Sequence, residues 1–207
     1  MRVQEVVPPQ LGVLFDGAQG GTRNRLASAP YVVDPDNEFM KGKVATSIAV
    51  TGNNPFNLTV SDSPWRGKGK PRFAANHNFE TFSDPIMGFR AGFLNHITHN
   101  NRNIESGRKN SIYTLLQEAT PYEQNKEWWD GGGPQRLASS IPGVGLHDHI
   151  DLRSQREGRA FAKAVANMEI GSRGDPWGIY DDALDMVYGE LGQGVPARPS
   201  RVTLASD

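Results

Sequence analysis

The chain of 207 residues has no cysteine. That excludes disulfides, thiolate nucleophiles and cysteine-based zinc sites together. No run approaches 18 apolar residues, so no membrane span is expected. Neither sign of charge dominates: 22 Lys and Arg stand against 23 Asp and Glu. A duplex-binding protein carries an obvious basic surplus, so nucleic acid is not an expected partner. The opening MRVQEVVPPQ lacks the apolar centre of a signal peptide, and no secretory leader is expected. No internal repeat or low-complexity block interrupts the chain. What remains is an ordinary composition, 37% hydrophobic, in a chain long enough to bury a core without metal or cross-links.

The apolar residues are unevenly placed. Residues 1–36 hold one short cluster, LGVLF, and then a Gly/Asn/Ser stretch with no helical period. An extended arm is expected there, adding itself to a neighbouring surface, because that cluster left free would be an exposed apolar patch. Residues 192–207, GQGVPARPSRVTLASD, have the same character and read as a C-terminal tail. Residues 37–191 between them read as one mainly α-helical domain. Helices are predicted over 37–50, 83–100, 110–119, 154–171 and 181–191. In the second, Ser83 suits a cap, Pro85 the first turn, and Ile86, Phe89, Phe93, Leu94 and Ile97 one stripe. In the fourth, Ser154 and Glu157 have capping-box spacing, and Gly171 stands where a helix should stop. Only 72–82 hints at extended chain.

Five motifs follow one another: GNNPFNL (52–58), Trp65-Arg66-Gly67, FETFSDPIMGFRA (79–91), TLLQEATPYEQN (114–125) and IDLRSQREGRAFAKAVANMEIG (150–171). In that order they resemble a group of tailed-bacteriophage virion proteins over about 120 of the 207 residues. Phe56 stands where the group usually has glycine in the asparagine turn. The group is in turn similar to lysozyme-like peptidoglycan hydrolases, especially glucosaminidases. The resemblance implies a lysozyme-like helical domain in a virion, present in multiple copies and meeting other virion proteins through its terminal arms. The ending Glu169-Ile170-Gly171 looks like the glutamate-x-glycine helix end of transglycosylases. In the hydrolases an acid closes the helix just before the asparagine turn, and here that helix ends SIAVT without one. A permuted arrangement is therefore expected, with Glu169 docked against the Asn53–Asn57 turn.

Glycosidic cleavage needs an acid to protonate the leaving oxygen, usually a carboxyl in an apolar setting. Met168 and Ile170 flank Glu169, and Val165 and Phe161 lie one and two turns earlier, so Glu169 is the first candidate. Glu123 in TPYEQN is the candidate second carboxylate, with Pro121 fixing its loop and Tyr122 offering a sugar platform. Asn53, Asn54 and Asn57 could bind acetamido groups or satisfy their own loop. Trp65 and the pair Trp128-Trp129 could stack on sugar rings, and the pair could equally anchor a protein contact. Against catalysis stands the plainer reading of Glu169 as a surface glutamate paired with Arg173. No metal or other cofactor is expected: His147 and His149 at i, i+2 do not share a face, and His96 and His99 stand in a polar stretch where solvated histidine is ordinary. RGKGKPR (66–72) reads as a solvated loop. Two functions compete on this reading: a virion-associated wall hydrolase acting during genome delivery, and an inactive structural component of the core, connector or tail.

Overall fold

The computed structural model describes residues 48–74, 77–171, 174–175 and 177–194. The arm expected over 1–36, most of the helix expected over 37–50, and 195–207 lie outside the described residues. The protein is mainly helical. In chain order come α1 (Ile48–Thr51), strands β1 (Arg72–Ala74) and β2 (His77–Phe79), α2 (Pro85–Glu105), α3 (Ile112–Ala119), a 3-10 turn (Tyr122–Gln124), α4 (Lys126–Asp130), α5 (Gly133–Ser139), α6 (Gln155–Ile170) and α7 (Tyr180–Glu190).

Helix α2 is the axis of the domain. Asp84, and not the expected Ser83, caps it: its carboxylate accepts from the Met87 N–H at 3.0 Å, while Pro85 starts the first turn without needing a donor. Phe89, Phe93 and Ile97 are buried as the spacing predicts, and Ile86 and Leu94 only partly. Phe89 packs on Tyr180 with ring centroids 4.6 Å apart, and Phe93 on Tyr188 at 5.8 Å. Those contacts lay α7 along α2. The helix runs five residues beyond the predicted end at 100 because its polar tail is buried and satisfied. Asn100 Oδ1 accepts from Asn110 Nδ2 at 2.6 Å and from the Leu152 N–H at 2.8 Å. Asn103 Nδ2 donates to Asn110 Oδ1 at 3.4 Å.

Helix α3 opens on a capping box, Ser111 with Thr114. Helix α6 lacks the one expected. Ser154 makes no side-chain cap, and Glu157 instead accepts from the Asp151 N–H at 2.7 Å, bracing the loop that enters the helix. Gly171 closes α6 at φ 66°, as expected of a left-handed helix end. Helices α4 and α5 were not foreseen, since short helices among glycines carry no readable period. The extended stretch predicted over 72–82 is the β1–β2 hairpin, in antiparallel register with Arg72 opposite Phe79.

Candidate active site

The turn 52–58 is built from its own amides. Asn54 is fully buried; its Nδ2 donates to the carbonyls of Leu58 and Glu80 at 3.0 Å each, and its Oδ1 accepts from the Leu58 N–H at 2.9 Å. Asn53 Nδ2 donates to the Phe82 carbonyl at 3.0 Å. Both side chains are thereby committed to tying the turn to the segment after β2. Of the two roles open to Asn53 and Asn54, both side chains serve the loop, and neither lines the cavity where they were candidate substrate binders. Asn53 and Asn57 hold φ of 52° and 48°, the left-handed region that asparagine tolerates better than most residues.

The turn lies directly on α2. A Cβ on Gly88 would collide with the Asn53 carbonyl oxygen, and one on Gly92 with the Phe56 ring. Phe56 fills that groove and meets Phe89 edge-on at 5.1 Å. The turn is thus stapled to the core at both ends, which fixes where Asn57 points.

Asn57 is the one turn asparagine that reaches the expected acid. Its Nδ2 donates to Glu169 Oε2 at 2.7 Å across 112 residues. The convergence expected from the sequence is present. Asn57 and Glu169 line a cavity of about 180 Å³. Its apolar wall comes from Phe56, Leu116, Val165 and Met168, and its outer side from Ser61, Ser63 and Trp65. Asn95 and His96 enter from α2, and Thr120 from the end of α3.

Electrostatics follow from this enclosure. Burial pushes the Glu169 carboxyl above its ordinary 4.5, and the Asn57 bond pulls partly back. Burial, with a smaller contribution from His99, drives His96 down to about 3, so this imidazole is neutral at ordinary pH. His96 is therefore not the solvated residue its polar neighbours suggested: its ring is packed on Phe161 at 5.1 Å and near Phe56 at 5.7 Å. Asn57 Oδ1 and His96 Nδ1 are both enclosed with no partner among the described residues.

Glu123 and Tyr122 are not brought here. Glu123 sits on the 3-10 turn, 78% exposed, paired with Lys126 at 3.0 Å. Tyr122 shares a separate shallow depression with Tyr113 and Gln117, and its hydroxyl donates to Asp130. The expectation that Glu123 is a second acid beside Glu169 is corrected accordingly. Trp129 donates its indole N–H to the Thr120 carbonyl at 2.8 Å, and Trp128 packs over Gly133; both are partly buried against the core. His99 is bound to Glu118 at 2.8 Å. Among the described residues no group of three His, Asp or Glu is placed to hold a metal ion, and no helix is long and apolar enough to cross a membrane.

Sequence reasoning missed Glu80. It is fully buried, and its Oε1 accepts from the Ser61 N–H at 3.0 Å and from Lys68 Nζ at 2.8 Å. Lys68 is thereby withdrawn from the basic RGKGKPR loop, and its Nζ also donates to the Ser61 carbonyl at 2.6 Å. The only signal was an acid two residues from an aromatic in FETF, which is too common to notice. No protein-family model and no curated protein matches the chain.

Proposed function

We propose that this is a virion-associated protein of a tailed bacteriophage whose lysozyme-like domain cleaves glycosidic bonds of peptidoglycan during genome delivery. The observation that carries the reading is the Glu169 carboxyl, half-buried in a cavity wall against Asn57 and shifted toward its protonated form. A carboxyl that holds its proton more tightly than an exposed one suits delivery to a departing sugar oxygen. Trp65 and the Asn95 amide offer an aromatic face and a polar group to a ring lying in the cavity. Glu169 is the one carboxylate among the described residues lining it. In the one-acid scheme of the transglycosylases it resembles, the same group therefore protonates the leaving oxygen as the glycosidic bond breaks. It then takes the proton of the sugar's own hydroxyl as that oxygen bonds to the anomeric carbon. The phage setting rests on the ordered motifs of the sequence.

The second reading is an inactive structural virion protein. What favours it is that Asn53, Asn54 and Phe56 all serve packing, and that the Asn57–Glu169 bond also ties α6 to the turn. Clearing of purified cell walls by wild type and by Glu169→Gln separates the two. Clearing by wild type with a loss of about a hundredfold or more in the variant supports catalysis. No clearing by wild type supports the structural role, and equal clearing removes Glu169 as the acid.

A further inference from the structure

The polar atoms around Glu169 do not balance as the structure stands. Asn57 presents a donor and an acceptor side by side. Its Nδ2 is used, at 2.7 Å from Glu169 Oε2. Its Oδ1 is enclosed and has no partner among the described residues. An amide carbonyl taken from water without a partner is costly, which is why such atoms are rare in folded proteins. An ionised carboxylate cannot help, because it only accepts; a carboxylic acid donates one proton and accepts with its other oxygen. The amide and the carboxyl are already in contact, so a proton on Glu169 supplies the missing donor.

We propose that Asn57 and Glu169 form a matched amide–acid pair, in which Glu169 carries its proton at rest and directs it to Asn57 Oδ1 until a substrate oxygen takes its place. Asn57 is then a positioning residue that stores and aims the proton. The inference rests on the acid role of Glu169, but its test does not need catalysis. Two further features agree. Asn57 is held at a φ of 48°, a backbone conformation that L residues seldom adopt and that persists where the surroundings impose it. His96 is the other titratable group lining the cavity among the described residues, entering from α2, and it is neutral there. Among the described residues no Lys or Arg lines the cavity to draw the proton off Glu169.

The experiment follows the side chain of Asn57 by ¹³C and ¹⁵N NMR in the full chain between about pH 4 and pH 8. The signal is assigned by its absence in Asn57→Gly, a variant suited to the left-handed backbone. If the acid donates to Oδ1, ionisation removes that bond. The Asn57 Cγ resonance then moves upfield in one step, with a midpoint above the ordinary glutamate value of 4.5, and the step vanishes in Glu169→Gln. A Cγ that moves downfield shows an amide serving only the carboxylate and overturns the proposal. So does a midpoint at or below the ordinary value, or no movement. Absence of wall clearing by wild type would remove the proposed function while leaving this result to stand or fall alone.

Discussion

Glu169 and Glu123 are the two candidate acids of the sequence, and they end in opposite surroundings, one in a cavity wall and one in solvent. Thr120, at the end of that helix, lines the Glu169 cavity. Three residues further on, Glu123 stands in water with Lys126 for company. Their sequence neighbourhoods do not account for the difference, since both sit beside large apolar or aromatic residues. Glu169 is enclosed by segments from four other parts of the chain: the turn 52–58, Trp65, His96 and the end of α3. Only that enclosure lifts its proton affinity. An acid is therefore made by what folds over it, and the flanking residues serve mainly to anchor its helix.

The contrast is broken most severely through the chemistry. Glu169→Gln is expected to lower wall clearing by about a hundredfold or more, and Glu123→Gln by less than about twofold; comparable losses would erase the distinction. Next come the glycines that let each region close. Gly88→Ala places a methyl group on the Asn53 carbonyl, backbone against backbone, and is expected to cost about 3 kcal/mol in denaturant unfolding. Gly133→Ala meets the Trp128 ring instead, a side chain that can shift, and is expected to cost about 1 kcal/mol. Equal costs would mean that the turn is not held against α2 as closely as Asn53 indicates.

A subtler way to sharpen the contrast is pH. Burial raises the Glu169 carboxyl above 4.5, so between 4.5 and that raised value the native state binds more protons than the unfolded chain. Stability contributed this way is complete below 4.5 and is lost as pH rises through the native value. Glu169→Gln has no charge to bury. It should match wild type near pH 4 and gain on it progressively toward neutral pH in thermal unfolding. His96 acts with the opposite sign. Its value falls from 6.5 to about 3, so its share is present above 6.5 and fades as pH drops toward 3. The two effects are separable because Glu169→Gln leaves the His96 loss in place.

How much of this could be read beforehand depended on range. The stripe of Phe89, Phe93 and Ile97, the stop at Gly171 and the pairing of the turn with Glu169 were legible, because periodicity and motif order carry them. Two things were not. One is the destination of asparagines. Asn100 and Asn103 look like surface residues, and each is satisfied by an amide or N–H that only the fold brings near. Asn53 and Asn54 serve their loop but also reach the distant Phe82 and Glu80 carbonyls. The other is burial of groups in polar company. His96 is followed closely by Thr98, His99 and Asn100, yet it faces Phe56 and Phe161 because it lies on the α2 face shared with Phe89 and Phe93. Composition within a window cannot report which side of a helix is covered. The exchange of Ser83 for Asp84 as the cap is a smaller case, since either residue suits the position.

The smallest effect tests the exposed half of the comparison. Glu123 and Lys126 are an i, i+3 pair with side chains 78% and 55% exposed. Water screens such charges, and ordering two long side chains offsets most of the attraction, so pairs of this kind contribute about 0.5 kcal/mol or less. Replacing Glu123 by Gln, Lys126 by Gln, and both together is expected to give a coupling within that limit by urea unfolding, shrinking further in salt. The cavity shares no lining residue with this pair, so the Glu169 titration should stay where it is. A coupling above about 1.5 kcal/mol, or a displaced Glu169 titration, would show that the 3-10 turn braces the end of α3 against the cavity. Glu123 would then belong to the site as a support, and the two carboxylates would no longer be independent.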